Sequence, residues 1–180
     1  MAPTAPIPRV VRHPPIVSAT ITPFSIPWHI FELTAPDIFP IVAMAVELRA
    51  HPRLGVAVMG LAGDQTDTGM WVTSHKTFYE FGVEPRWYPM GHFRGLMAGA
   101  ALHYFRMRML LTDVFDGSKW PPFDFAGYTY GAFAGYKYTT LIGFTVEAKG
   151  GYAYVQRTMS DSGPHPDFVP ITDVKVGWSF

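Results

Sequence analysis

Residues 172–180 alternate between two kinds of side chain. One parity is apolar and includes two aromatic residues: Thr172, Val174, Val176, Trp178 and Phe180. The other parity carries two charges and the two smallest residues: Asp173, Lys175, Gly177 and Ser179. Because successive side chains of a β-strand point to opposite faces, this period of two predicts a strand. Any fold for this chain must therefore give that strand one apolar and one polar environment.

The composition points to an all-β membrane protein rather than a helical one. The chain has 180 residues, the length of one domain. Only 16% of them are charged, against about a quarter in soluble domains. Yet no run reaches the roughly 18 apolar residues that a transmembrane helix needs. The apolar content is instead divided among many short runs, as in a β-barrel.

Charge and cysteine content exclude other classes of function. The net charge of +0 gives no indication of nucleic-acid binding. The absence of cysteine excludes disulfides and thiolate metal sites. Residues 1–15 hold five prolines and predict a Pro-rich tail, with the barrel over 16–180. The first residues lack the basic start and apolar core of a secretory signal. If the protein is exported, we therefore expect this chain to be the mature form, with its signal peptide removed and a Met added.

Eight segments are predicted to be strands: 16–24, 39–49, 54–63, 77–88, 93–107, 125–138, 141–157 and 172–180. Segment 93–107 also fits a helix by composition, but Gly95 and Gly99 favour a strand. Short turns are predicted at 50–53, 89–92 and 139–140. Long polar or Pro-rich loops are predicted near 25–39, 63–76, 110–124 and 159–170. Short turns at one end and long loops at the other are typical of an outer-membrane barrel.

The polar parity of these strands predicts what fills the barrel. It is rich in glycine, which suits the narrow lumen of an eight-stranded barrel. Its charges are nearly balanced and include Lys137, so they can pair in a confined space. We predict a polar lumen network of Glu47, Arg49, Glu80, Glu84, Arg86, His103, Glu147, Lys149, Asp173 and Lys175.

The apolar parity predicts where the lipid lies. Its tyrosines and tryptophans cluster near strand ends, as in the aromatic belts at a lipid–water boundary. The predicted lipid-interface aromatics are Trp87, Tyr136, Tyr138, Tyr152, Tyr154, Trp178 and Phe180.

Four runs carry a resemblance to a known family: PIVAMAVELRAHPRLGVAVMG, FYEFGVEPRWYPMGHFRGLMAGAAL, GAFAGYKYTTLIGFTVEAKGGYAY and VKVGWSF. In this order, over residues 40–180, they resemble small eight-stranded bacterial outer-membrane β-barrel proteins, OmpA/OmpX-like in architecture. The family's acid-x-Arg-x-Tyr-Pro run corresponds to residues 84–89, and the ending on Phe180 is similar to the C-terminal assembly signal of such barrels. The first strand matches least well. The resemblance implies a monomeric, antiparallel up-and-down transmembrane barrel in the bacterial outer membrane, with lipopolysaccharide outside and the assembly machinery as partner.

The chemistry-bearing residues predict no catalyst. No histidine pair has metal-ligand spacing, and we expect no metal and no cofactor. Ser160, Asp161, Ser162, His165 and Asp167 form the best local set for a lipid-modifying hydrolase, but this composition is also that of an exposed loop. The expected protein is therefore not an enzyme.

The predicted role is structural or interactive, through four extracellular loops. Trp28, Trp71, Trp120 and Phe168 lie in or beside them as candidate recognition anchors. Three alternatives stay open: a barrel hydrolase, a small pore, and a soluble lipocalin-like carrier. The carrier would turn the apolar parity inward and the charges outward. If membrane-bound, the barrel is expected to have periplasmic termini.

Overall fold

The computed structural model describes residues 15–22, 42–91, 93–159 and 162–180, with the backbone alone at 42, 157–159 and 162–167. These residues form eight β-strands. In chain order they are β1 Val17–Thr22, β2 Val42–His51, β3 Leu54–Thr68, β4 Val72–Trp87, β5 Gly95–Asp113, β6 Phe123–Thr139, β7 Phe144–Met159 and β8 Ser162–Ser179. None of the described residues forms a helix that could cross a bilayer.

The strands make one closed barrel in which each pairs antiparallel with its neighbours in sequence. Closure joins β1 to β8, where Ala19 lies opposite Trp178. A chain of hydroxyls supports this seam, because Ser179 Oγ lies 3.0 Å from Ser18 Oγ and 2.7 Å from Thr145 Oγ1. Because β1 and β8 pair at the seam, their backbone N–H and C=O groups are not left unpaired there. A bilayer requires this, since it offers no water to satisfy them. The prediction of an all-β, eight-stranded antiparallel up-and-down transmembrane barrel is confirmed.

The two faces of the sheet have the predicted orientation. Glu84 and Lys175 are 0% and 1% exposed, whereas Phe144 and Trp178 on the opposite parity are 38% and 42% exposed. Apolar side chains thus cover the outside and charges lie within. A water-soluble barrel requires the reverse, so the structure contradicts the soluble-carrier alternative.

Several strands are longer than predicted. The polar segment 63–69, predicted to be a loop, continues β3 to Thr68, which pairs with Thr73 of β4. The last predicted loop, 159–170, is largely strand, because β8 begins at Ser162 and pairs with β7. Polar residues and prolines led to the prediction of loops. Both are also compatible with the part of a strand that extends beyond the bilayer into water. Strands β4 to β8 have 16 to 19 residues, against the roughly 9–11 that span a bilayer.

Three turns lie at the end of the barrel that carries Ile16 and Phe180, here named the terminal end; the opposite end is the loop end. Two of these turns are longer than predicted. Gly143 has a φ of 96°, so residues 140–143 turn the chain and β7 starts later than residue 141. Residues 88–91, 93 and 94 belong to the β4–β5 turn, in which Phe93 has a φ of 60°, and β5 therefore begins at Gly95 rather than 93. The predicted strand 16–24 is observed as β1, whose end adjoins residues outside the described range, as do the predicted loop 25–39 and most of the Pro-rich tail.

Candidate functional site

The lumen near the terminal end holds a layer of buried charges, here named the charge layer. It contains four acids and four bases: Glu47, Glu84, Glu147, Asp173, Arg86, Lys137, Lys149 and Lys175. All but Asp173, which is partly buried, are less than a tenth exposed. Alternation along β2, β4, β6, β7 and β8 directs these side chains inward. Equal numbers of opposite charges allow each to be compensated, which a buried charge requires.

Arg86 lies at the centre of this layer. Its Nη1 donates to Glu47 at 2.9 Å and to Glu147 at 2.7 Å, and its Nη2 donates to Glu84 at 2.6 Å. One guanidinium thus connects carboxylates from three strands, β2, β4 and β7. A planar fork with several donors suits such a junction better than a lysine would.

The lysines connect the remaining acids. Lys149 contacts Glu84 and lies 3.5 Å from Asp173, and Lys175 lies 3.1 Å from the same Asp173 oxygen. Lys137 donates to Glu47 at 2.8 Å, and its Nζ lies 3.8 Å from the centroid of the Phe93 ring. The layer therefore forms a continuous network rather than isolated pairs.

The β4–β5 turn closes the terminal end of the lumen. Tyr88 and Phe93 are both fully buried, with ring centroids 5.4 Å apart. They pack with Met97, Ala101 and Phe133 of β5 and β6. A turn that points two aromatics back into the barrel obstructs that mouth.

Toward the loop end the lumen becomes largely apolar, although the buried Lys76 pairs with Asp67 at 3.0 Å beyond the apolar side chains. One contiguous cluster, here named the apolar layer, fills it: Ala43, Leu61, Phe78, Phe105, Met107, Phe125, Ala153, Val155 and Val169. Between the two layers, His103 Nδ1 lies 2.5 Å from Glu80 and its Nε2 lies 3.4 Å from Glu84. The lumen is thus polar only in part, contrary to the expectation of a lumen filled by polar side chains. The long strands β4 to β8 explain this, since their outer parts enclose a core of their own.

The structure brings together all but one of the ten residues of the predicted network. Arg49 is the exception: it is half-buried near the β2–β3 turn and forms no ion pair with a described residue. Three participants lie outside that predicted set: Lys137, Tyr88 and Phe93. Parity already places Lys137 inside. It also extends to Tyr88, two residues after Arg86, and to Phe93, two residues before Gly95, so the ends of the predicted strands carry the signal that these two aromatics face the lumen.

The predicted interface aromatics lie on the outer surface in two groups. Five surround the terminal end with 42–70% of their surface exposed: Trp87, Tyr136, Tyr138, Trp178 and Phe180. Tyr152 and Tyr154 lie further along β7 and contact Phe168 and Tyr130. Tyr104 and Tyr128, which sequence reasoning did not select, pair at 5.4 Å in the same outer group. Two aromatic groups separated by an apolar band are the pattern of a barrel in a bilayer.

An exposed apolar patch occupies the loop end. It is here named the aromatic tip and consists of Met70, Trp71, Val114 and Phe115, which are 46–79% exposed. The rings of Trp71 and Phe115 lie 5.3 Å apart, and the amide of Val114 donates to the carbonyl of Trp71 at 3.0 Å. The neighbouring turn is ordered by its acids: Asp113 accepts from the amide of Phe115, and a hydrogen bond from Ser118 lowers the pKa of Asp116.

The candidate catalytic and metal-binding residues form no described site. Ser160 and Asp161 lie outside the described residues, and only the backbone is described at Ser162, His165 and Asp167. Elsewhere, the described residues contain no group of three His, Cys, Asp or Glu arranged to hold a metal ion. The hydrolase alternative therefore gains no support.

Comparison with solved structures identifies the architecture. Ail, the attachment invasion locus protein of Yersinia pestis, superimposes with a TM-score of 0.58 at 10% identity, covering 91% of this chain and 95% of Ail. The chain has the fold of small bacterial outer-membrane β-barrels. Ail in a phospholipid bilayer nanodisc matches at a TM-score of 0.51 and 12% identity, covering 92% of this chain and 99% of Ail. Ail bound to the heparin analogue sucrose octasulfate matches at 0.57 and 10% identity, covering 92% and 94%.

No protein-family model and no curated protein sequence matches the chain. The fold and the apolar exterior together place this barrel in a lipid bilayer, because a closed barrel with an apolar band outside is suited to lipid.

Proposed function

We propose that this outer-membrane barrel is a non-conducting scaffold that presents a recognition surface at its loop end. In this proposal the terminal end faces the periplasm and the loop end faces the outside of the cell, as in barrels of this type. The barrel acts without a cofactor and is not an enzyme. The bilayer around the barrel has lipopolysaccharide in its outer leaflet. The assembly machinery of the outer membrane recognises the barrel through β8.

Two features of the lumen support a closed barrel. The charge layer and the buried turn fill the lumen near the terminal end, and the apolar layer together with the Lys76–Asp67 pair fills it toward the loop end. An eight-stranded barrel has space inside only for side chains, and here large ones fill it. A pore would need a continuous hydrated path past Phe78, Phe105 and Arg86.

The aromatic tip is the observation that carries the recognition role. Strands of 16 to 19 residues hold it well beyond the roughly 9–11 residues needed in the bilayer. Trp71 and Phe115 are 65% and 71% exposed there. Large apolar side chains clustered in water mark an interaction site, and aromatics are the usual anchors of interfaces. The complex of Ail with a heparin analogue shows that a barrel of this fold can bind a ligand.

The test is attachment of cells that display the barrel. Bacteria displaying the wild-type barrel are expected to attach to epithelial cell layers more than the same strain without it. The double substitution Trp71→Ser with Phe115→Ser should return attachment to the level without barrel. The matched control is Ile142→Ser, which removes an exposed apolar residue from the terminal end. Attachment that does not depend on the barrel, or that survives loss of both aromatics, contradicts the proposal.

A further inference from the structure

A cavity lies at the rim of the barrel at the terminal end. It has a volume of about 330 Å³ and forms where the β4–β5 turn meets the end of β6. Met90 and Arg94 of the turn form one wall, and Tyr136 and Tyr138 of β6 form the other. None of these four residues takes part in the charge layer.

Among the described residues, the cavity has a positive charge without a matching acid. Arg94 is exposed and forms no ion pair with a described residue, and no acidic side chain lines the cavity. Lys137 also lines it, but its Nζ is directed to Glu47 and to the ring of Phe93. The Arg94 guanidinium is therefore the lining cation that remains available to an outside anion.

The walls place the cavity at a membrane boundary. Tyr136 and Tyr138 are 51% and 56% exposed on the lipid-facing surface, in the same belt as Trp87 and Trp178. Met90 is 66% exposed beside them. Amphipathic aromatics occupy the level of the lipid headgroups, so the cavity opens where headgroup phosphate meets hydrocarbon.

We propose that this cavity binds one glycerophospholipid of the periplasmic leaflet. Arg94 pairs with the phosphate through two parallel N–H donors, which its planar fork suits. The glycerol part occupies the cavity, and the acyl chains leave along Met90 and the face of Tyr136. The inference rests on the membrane placement of the terminal end and not on recognition at the loop end.

The experiment is native mass spectrometry of the folded barrel released from detergent with added dioleoyl phosphatidylglycerol. The wild type is expected to retain one lipid preferentially. Arg94→Gln should weaken that binding about tenfold, the size of one charge-assisted contact, and Arg94→Lys should restore part of it. Arg53→Gln is the matched control, because Arg53 is an exposed arginine of the neighbouring β2–β3 turn that does not line the cavity.

Three results would overturn the proposal. Equal loss of lipid in Arg53→Gln and Arg94→Gln would indicate general attraction to a basic end. If dioleoylglycerol, which has no phosphate, were retained as well as dioleoyl phosphatidylglycerol, Arg94 would not be binding a phosphate. Displacement of the lipid by millimolar inorganic phosphate would indicate a site for a free anion. Folding of every variant is checked by heat-dependent gel mobility, so loss of structure is not mistaken for loss of binding.

Discussion

The hydroxyl of Tyr88 donates a 2.6 Å hydrogen bond to Oε1 of Glu47. Tyr88 belongs to the β4–β5 turn and Glu47 to β2, so this bond fastens the inward-folded turn to the charge layer. Glu47 also accepts from Arg86 and Lys137 through its other oxygen. The turn and the charge layer consequently form one unit. The residues that close the barrel at the terminal end belong to the β4–β5 turn of the barrel itself.

Removal of this hydroxyl tests the unit. Tyr88→Phe leaves a buried carboxylate oxygen without its donor, so we expect a loss of about 1–3 kcal/mol in the free energy of unfolding. Urea unfolding of the barrel in lipid vesicles, followed by tryptophan fluorescence, measures it. Tyr138→Phe, at an exposed position, should change the free energy by less than about 0.5 kcal/mol. Equal effects of the two substitutions would mean that the turn is not held by Glu47.

Removal of the central cation should have a larger effect. Arg86→Met leaves three buried carboxylates in contact with fewer bases, and we expect a cost of about 3–5 kcal/mol or failure to fold. Arg49→Met is the control, because Arg49 is half-buried and unpaired with any described residue. Refolding yield and urea midpoint in vesicles are the measurements. A mild effect of Arg86→Met, comparable to that of Arg49→Met, is incompatible with a network centred on Arg86.

The glycines of the barrel wall should differ in their tolerance of a methyl group. A Cβ on Gly99 would lie 2.6 Å from the carbonyl oxygen of Pro85 and 2.5 Å from Phe133, whereas one on Gly60 would meet nothing within 4 Å. Gly99→Ala should therefore cost about 1–3 kcal/mol through overpacking. Gly60→Ala should be neutral or slightly stabilising. The same unfolding measurement applies, and the reverse order would contradict the packing of Phe133 against β5.

The closed lumen predicts the electrical behaviour of the barrel. Purified protein in planar bilayers should give no sustained channels at any moderate voltage, because large side chains of the apolar layer and the charge layer fill the interior. A porin added to the same bilayer serves as the positive control. Steady, reproducible conductance from the pure barrel would show that the lumen opens and would revive the pore alternative.

Much of this architecture could be predicted because alternation is a local property. The nine residues 172–180 are enough to place Trp178 on the apolar face and Lys175 on the polar face. A sheet with such faces in lipid must then close into a barrel, because an open edge would leave backbone groups without hydrogen bonds. Parity likewise placed Glu47, Glu84, Arg86 and Glu147 on one side of the wall. Which acid contacts which base depends on the register between strands, and no single strand contains that information.

The errors have physical reasons. Segments 63–69 and 159–170 were predicted to be loops because they contain polar residues and prolines. These residue types indicate that a segment is exposed to water, but they do not exclude a β-strand. Strands that leave the membrane meet water on their outer face and still pair, as Thr68 does with Thr73. The inward positions of Tyr88 and Phe93 were not predicted, although both continue the lumen parity, because an aromatic at the end of a strand fits a membrane boundary equally well. The charge layer and the apolar side chains of Met97, Ala101 and Phe133 behind the turn together make its burial favourable.

Spin labels test the central claim, that the apolar parity faces lipid, most directly. The chain has no cysteine, so single substitutions at Leu102 and Val114 can be labelled selectively. Leu102 faces outward in the middle of β5, and Val114 lies in the aromatic tip. In vesicles, the label at Leu102 should collide frequently with oxygen and rarely with a water-soluble nickel complex, and the label at Val114 should show the opposite. Equal access of the nickel complex to both labels would contradict a membrane-spanning barrel.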